Sequence, residues 1–125
     1  KKRPVFKIYG TDYKTKDGTC VRDYIHVTDI SQIHYKVLEA INKKKKSIIL
    51  NCGYNRGISV LQVVKEFKKF TNKYVKIISL PRRMGDMVQI TSNTKKLNNF
   101  IKWTPKHNNL SKIVKSCLKW EKVKI

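Results

Sequence analysis

Residues 13–29, YKTKDGTCVRDYIHVTD, constrain the fold more than any other part of the chain. A glycine turn at residues 17–19 precedes a run of β-branched and aromatic residues at 24–27, which predicts a loop followed by a short strand. Arg22 lies between the two. Its planar guanidinium can contact two anionic oxygens at once, so its position beside a turn predicts a phosphate contact.

The rest of the chain alternates short strands with amphipathic helices. Further strands are predicted at residues 6–9, 47–52 and 74–80. Thr28 or Asp29 is predicted to cap a first helix that ends at the four lysines 43–46, and Ser59 is predicted to cap a second. Asn93 is predicted to cap a short third helix, and a final helix follows from Leu110. This pattern predicts a small α/β unit of at most one domain.

Composition limits the class of protein but does not define a function. No apolar run is long enough to cross a bilayer. Cys20, Cys52 and Cys117 are widely spaced and predict reduced thiols in a cytoplasmic protein. No Cys or His pair has metal-ligand spacing, so we expect no metal site.

The formal net charge of +21 has two interpretations. A nucleic-acid-binding surface is one. The other is compositional drift, because the positive charge is mostly lysine, with only five arginines, and the lysines are expected to scatter over every helix face rather than to cluster with aromatic residues. We favour drift.

Two loops contain candidate ligand-binding residues. Gly53 and Gly57 lie between a predicted strand and helix, but their spacing fits neither GxGxxG nor a P-loop, so a tight turn before a capped helix explains them better than a cofactor cradle. The loop PRRMGD at 81–86 carries two arginines and Asp86, which are costly to bury without partners. A solvated loop is the default interpretation. Together with Arg22, however, a loop arginine could clamp a diphosphate from two sides.

The motifs DGT at 17–19, VRDYIHVxD at 21–29 and PRRxGD at 81–86 resemble, in this order and spacing, the C-terminal portion of UDP-glucose (UDP-galactose) 4-epimerases. These are extended short-chain dehydrogenases/reductases, and the resemblance covers essentially the whole chain. It implies that residues 1–125 form a small C-terminal UDP-sugar-binding domain, with a Rossmann-associated strand and helix included at 20–52. The resemblance also implies NAD-dependent interconversion of UDP-glucose and UDP-galactose at C4, and thus galactose metabolism in the cytoplasm. The alternatives are a related NDP-sugar epimerase or dehydratase and, in a different class, a basic nucleic-acid-binding module.

The resemblance assigns six binding residues. Arg22 and Arg83 align with the diphosphate-binding arginines and Asp86 with the acid that meets the ribose. Lys7 and Tyr9 match a segment that meets the uracil, and Ile90 falls where relatives line the sugar pocket. No catalytic or cofactor-binding residue is assigned, because the glycine-rich NAD fingerprint and the Tyr-x-x-x-Lys pair have no counterpart here.

The missing fingerprint predicts that this chain is a fragment without epimerase activity of its own. NAD would then be bound by an N-terminal Rossmann domain missing from this chain, which would be its main partner. The family also implies a homodimer for the full-length protein. We expect neither a membrane partner nor a specific nucleic acid.

Overall fold

The structure is a computed structural model and describes residues 5–45, 47–71 and 76–123. These residues form five strands and four helices. In chain order they are β1 (Val5–Tyr9), β2 (Val21–Arg22), α1 (Val27–Lys44), β3 (Ile58–Ser59), α2 (Val60–Phe70), β4 (Lys76–Leu80), β5 (Gln89–Ile90), α3 (Lys95–Ile101) and α4 (Leu110–Val123). The predicted α/β class is confirmed.

Two small sheets bring distant parts of the chain together. β1 pairs in parallel with β4, from Val5 opposite Lys76 to Tyr9 opposite Leu80. β2 is the central strand of the second sheet, antiparallel to β3 and parallel to β5. Arg22 in β2 therefore lies between Ile58 and Ile90.

The start of α1 differs from the prediction. The predicted strand at 24–27 is wrong, because β2 ends at Arg22 and α1 already begins at Val27. The predicted cap at Thr28 or Asp29 is also wrong: His26 is the N-cap, and its Nδ1 accepts a hydrogen bond of 3.1 Å from the Thr28 N–H. Asp29 occupies the first turn, where the helix dipole favours a carboxylate.

The predicted N-cap of α2 at Ser59 is confirmed. The Ser59 hydroxyl accepts from the Gln62 N–H and the Gln62 side chain accepts from the Ser59 N–H, which completes a capping box. The Val60 N–H donates to the Cys20 carbonyl at 3.1 Å, and the Leu61 N–H donates to Thr19 Oγ1 at 3.2 Å. The first three N–H groups of α2 are thus all bonded within the protein.

Two other strand predictions have different outcomes. The prediction at 47–52 is wrong, because the structure assigns no strand there, although Ile48, Leu50 and Cys52 are half-buried while Ile49 is 86% exposed. The alternation shows an extended segment with one apolar side turned to the core. Within the described part of the chain no strand pairs with it, so it is not assigned as a strand. The prediction at 74–80 matches β4, and residues 74 and 75 lie outside the described residues.

The N-cap of the third helix lies one residue later than predicted. Thr94 is the N-cap of α3 but makes no side-chain capping bond. Asn93 nevertheless bonds the first N–H group of the helix, since its Oδ1 accepts from the Lys95 N–H at 3.1 Å.

The core lies between α1, α3 and the loop after α3. Ile33, Leu97 and Trp103 are buried at its centre, and the half-buried Ile25 and Tyr54 pack against them. α4 packs on α2 through Val114, which is 1% exposed. Among the described helices none combines the length and apolarity needed to span a membrane.

Leu97→Ala should lower the free energy of unfolding by about 2–5 kcal/mol, because the fully buried Leu97 leaves a cavity on truncation. Leu38→Ala on α1 is the matched control, since Leu38 is 58% exposed and should cost less than about 1 kcal/mol. Urea unfolding followed by circular dichroism measures both. Equal losses for the two variants would contradict this core.

Candidate functional site

Arg22 has a fixed orientation. Its Nη1 donates to two backbone carbonyls, Val21 O at 2.8 Å and Met87 O at 2.9 Å. The second bond joins β2 to the loop before β5. With its side chain 24% exposed, Arg22 is held at the surface with little conformational freedom left to lose on binding.

Arg83 reaches the same place from the loop after β4. Its Nε donates to Asp86 Oδ2 at 2.9 Å and its Nη2 donates to Asp86 Oδ1 at 3.3 Å, a bidentate pair. This hydrogen bond and the carboxylate charge raise the pKa of Arg83. The guanidinium also lies 4.8 Å above the centre of the Tyr9 ring.

Asp86 is shared by both arginines. Arg22 Nη2 lies 3.5 Å from Asp86 Oδ1, on the carboxylate that Arg83 grips. Gly85 permits this arrangement, because its φ of 81° lies in the left-handed region and turns the loop so that Asp86 faces back to Arg83. Two guanidiniums facing one carboxylate leave an excess of one positive charge, which suits an anion.

The other two predicted residues lie around this cluster, which consists of Tyr9, Arg22, Arg83 and Asp86. Ile90 is opposite Arg22 in the β2–β5 register and is 51% exposed. Lys7 points to the same side of β1 as Tyr9, since side chains two apart share a face. Lys7 is exposed and, within the described residues, takes part in neither ion pair of Asp86. The structure therefore brings four of the six predicted residues into direct contact and leaves Lys7 and Ile90 beside them.

Arg82 is adjacent to Arg83 but belongs to a different set of contacts. Its Nε donates to Asp12 Oδ1 at 2.8 Å, and its guanidinium lies 4.3 Å from the centre of the Tyr13 ring. Residue type alone does not tell which arginine of the pair faces Asp86, whereas the family resemblance singles out Arg83. It also gives no signal for the Met87 carbonyl that holds Arg22, because a backbone group carries no residue type.

Gly53 and Gly57 do not form a dinucleotide cradle. A Cβ added at Gly53 would lie 2.5 Å from Asp23 Oδ2 and from Ser92 Oγ, and one at Gly57 would lie 2.5 Å from Val21 Cγ1. The space beside each glycine is thus filled by the protein itself. The first N–H groups of α2 are also occupied, so the start of this helix does not offer them to a pyrophosphate. These contacts agree with the interpretation of the loop as a turn before a capped helix.

A second polar cluster, formed by His26, Asp29, Tyr54 and His107, resembles a catalytic relay. Asp29 is fully buried and accepts from Tyr54 Oη at 2.7 Å, from the His107 N–H at 2.9 Å and from His107 Nδ1 at 2.7 Å. Burial and the Asp29 carboxylate raise the pKa of Tyr54 to about 12, so the phenol stays protonated at neutral pH. Burial opposes ionisation of Asp29, but the bonds from His107 and Tyr54 outweigh it and lower its pKa.

This second cluster therefore acts as a structural clamp between α1, the 53–57 loop and the segment before α4. His26 is 7% exposed and stacks on His107 with ring centres 4.4 Å apart. His34, in contrast, is exposed on α1, and its ring bonds the Ile30 carbonyl of the preceding turn. Both His26 and His34 therefore have structural contacts.

Comparison with known proteins gives a consistent set of relatives. Residues 2–53 match the NAD dependent epimerase/dehydratase family. The chain is 40% identical over 121 residues to the UDP-glucose 4-epimerase of Azospirillum brasilense, covering 97% of this chain and 35% of that protein. It is 44% identical over 120 residues to UDP-arabinose 4-epimerase 1 of Arabidopsis thaliana, covering 96% of this chain and 28% of that protein.

Solved structures agree with these sequences. The UDP-glucose-4-epimerase of Stenotrophomonas maltophila, with bound NAD and formylated UDP-arabinopyranose, superposes with a TM-score of 0.90 at 33% identity, over 98% of this chain and 36% of that one. The UDP-Glc/GlcNAc 4-epimerase of Campylobacter jejuni gives a TM-score of 0.85 at 42% identity, over 97% and 36%. The chain thus spans about a third of the length of the relatives it matches.

The free energy of unfolding should fall as the pH drops below about 6.5. Burial and the neighbouring His107 lower the pKa of His26 from its ordinary 6.5, so the unfolded chain takes up a proton there that the folded protein refuses. His26→Asn keeps an acceptor for the helix N-terminus and should make the free energy of unfolding depend less on pH. The range from about pH 5 to about pH 8 covers this effect, because it brackets the ordinary imidazole pKa. Urea unfolding at several pH values measures it.

His34→Asn is the matched control for this pH dependence. His34 is exposed, so its removal should leave the slope of unfolding free energy against pH unchanged. If His26→Asn retained the wild-type slope while His34→Asn reduced it, the assignment to the buried histidine would be wrong.

Proposed function

Because the chain is a homologue of the UDP-sugar 4-epimerases in the NAD dependent epimerase/dehydratase family, we propose that it forms the UDP-sugar-binding part of such an epimerase. Relatives in this family belong to the extended short-chain dehydrogenase/reductase type. The whole protein's activity is part of the proposal, since the chain spans only about a third of those relatives.

The convergence of Arg22 and Arg83 on Asp86 is the observation that carries this proposal. A pyrophosphate carries at least two negative charges, and two guanidiniums from segments 61 residues apart (83 − 22) can bind both of its phosphates. Asp86 neutralises one guanidinium before binding and keeps the pair from drifting apart. The carbonyls of Val21 and Met87 hold Arg22 ready in the same way.

The neighbouring residues have proposed roles that follow from their chemistry. Asp86, as an acceptor beside the phosphates, suits the hydroxyls of a ribose. Tyr9 and Lys7, on one face of β1, suit the uracil ring by stacking and hydrogen bonding. Ile90, half exposed next to Arg22, would limit the space available to the sugar.

The proposed reaction is reversible inversion at C4 of the sugar, for which NAD supplies the redox chemistry when it is bound. The loop around Gly53 and Gly57 does not fit a dinucleotide, because the space beside each glycine is filled by the protein. We propose that NAD is held by residues outside these 125, in a Rossmann domain that is this chain's partner, and that the chain alone is inactive.

UDP-glucose and UDP-galactose are the proposed substrates, and UDP-arabinose is the second candidate. The second candidate is favoured by the 44% identity to a UDP-arabinose 4-epimerase, against 40% to a UDP-glucose 4-epimerase. A related NDP-sugar epimerase or dehydratase is the remaining enzymatic alternative.

The complete enzyme, supplied with UDP-glucose, UDP-arabinose and a GDP-sugar in parallel, should epimerise a UDP-sugar and leave the GDP-sugar unchanged. The 125-residue chain alone should convert none of them, because the proposed NAD site lies outside these residues. Product is measured by chromatography of the nucleotide sugars. Turnover by the isolated chain would show that the proposed location of the NAD site is wrong. Preference for the GDP-sugar would show that the proposed substrate class is wrong.

Arg83→Ala should weaken UDP binding by about 10- to 100-fold, because a charge-assisted hydrogen bond contributes about 1.5–3 kcal/mol. UMP, which lacks the second phosphate, should bind less tightly than UDP to the wild type and lose less affinity in the variant. Titration calorimetry measures the four dissociation constants.

Arg82→Ala is the matched control for Arg83→Ala, since it removes the same charge from the adjacent position. Arg82 pairs with Asp12 rather than Asp86, so UDP affinity should stay within about twofold of wild type. Equal losses in the two variants would mean that general positive charge, and not the Arg22–Arg83 pair, binds the nucleotide.

A further inference from the structure

Four lysines form a single stripe along α4. Lys112, Lys115, Lys119 and Lys122 are all exposed. At about 100° per residue they fall within an arc of about 80°, and at about 1.5 Å per residue they extend over about 15 Å. We call this stripe the α4 ridge. The sequence-based expectation that lysines scatter over every helix face is wrong for this helix.

The α4 ridge points away from the body of the protein. Another side of the helix packs on α2, with Val114 1% exposed and Leu118 half-buried. Within the described part of α4, Trp120 is the large apolar side chain that stays exposed, at 60%. The α4 ridge is therefore the charged part of the surface that this helix presents to a partner.

Clefts lie on both sides of the α4 ridge. One has a volume of about 510 Å³ and is lined by His26, His107 and Ser116 together with three of the lysines. The other has a volume of about 230 Å³ and is lined by Phe70 and Leu118 with three of the lysines. Each cleft therefore combines lysine ammonium groups with an aromatic or imidazole ring.

The Phe70 ring is already in contact with the ridge, because Lys115 Nζ lies 4.8 Å above its centre. Phe70 is 38% exposed, so part of its ring remains open to a ligand. The expectation that the lysines do not cluster with aromatic residues is thus also wrong here.

Negative charge near the α4 ridge is small. None of the residues that line the two clefts is acidic. Glu66 on the neighbouring α2 is occupied by Lys69 and Ser111. α4 itself carries four lysines against Glu121, which gives a net charge of +3.

We propose that the α4 ridge binds single-stranded nucleic acid without sequence preference. A line of cations flanked by rings that can stack is the arrangement by which proteins bind single strands, with phosphates on the lysines and bases in the side clefts. An anionic membrane is a poorer partner, because a helix that binds a bilayer surface inserts a continuous apolar face. Here Val114 is buried, and within the described part of α4 the exposed large apolar side chain is Trp120 alone. This surface is separate from the Arg22–Arg83 pair.

The test measures binding of a fluorescent 12-nucleotide oligo(dT) to the 125-residue chain at several salt concentrations. The variant Lys112→Gln/Lys115→Gln/Lys119→Gln/Lys122→Gln should bind at least about 10-fold more weakly near 0.1 M salt. Its plot of log affinity against log salt should be shallower by about 3, since each phosphate contact on a single strand contributes about 0.7. Single changes at Lys112 and Lys119 should each reduce the slope by about 0.7, which keeps the test available if the quadruple variant does not fold.

The matched control is Lys36→Gln/Lys43→Gln/Lys95→Gln/Lys96→Gln, which removes the same charge from exposed positions on α1 and α3. It should retain wild-type affinity within about twofold and most of the salt slope. An equal loss in the control would assign binding to net charge alone and overturn the proposal. Absence of oligo(dT) binding, tighter binding to phosphatidylserine vesicles, or equal affinity for tripolyphosphate would overturn it as well.

Discussion

Carboxylates that accept hydrogen bonds from distant N–H and O–H groups hold the loops of this protein together. Asp23 is the centre of this system: it accepts from the backbone N–H groups of Tyr54 at 3.0 Å, Asn55 at 3.0 Å and Ser92 at 3.1 Å. Asp17 accepts from the Ser59 hydroxyl at the start of α2, and Asp29 binds the segment before α4. An ionised carboxylate suits these positions because it is an acceptor only, whereas an amide would turn a donor toward other donors. These acids follow one another at intervals of six residues, so one short segment organises loops from the whole chain.

This system also positions the candidate binding site. Asp23 follows Arg22 directly, and its bond to the Ser92 N–H fixes the residues just after β5. β2 and β5 are consequently held in register although each has only two residues, a length that offers little stability by itself. The Asp23 carboxylate, which does not face the proposed ligand, therefore helps to keep Arg22 and Ile90 close together. The proposed binding surface is thus supported by the Asp23 carboxylate behind it.

The helices could be predicted from sequence because their signals are local. A 3.6-residue apolar stripe and the Ser59 cap specify α2 without reference to any other segment. The strands were harder, since a strand exists only when a partner pairs with it. Residues 47–52 have strand-like residues and alternating burial, yet no strand pairs with them in the described ranges. The convergence of Arg22 and Arg83 could be predicted because both are arginines in or next to predicted polar loops. The clamp made by Asp29, Tyr54 and His107 was not, because its members come from α1 and two separate loops, whose meeting depends on the tertiary fold.

The two arginines after β4 have a consequence for how this protein can change. Arg82 and Arg83 diverge to Asp12 and Asp86 because successive residues of an extended chain face opposite ways, and the pairing of Tyr9 with Leu80 sets the phase. A deletion or insertion of a single residue here would reverse that phase and exchange the two guanidiniums. Lineages of this protein should therefore accept substitutions in this loop far more readily than any change in its length, even though it lies at the surface where indels are ordinarily harmless.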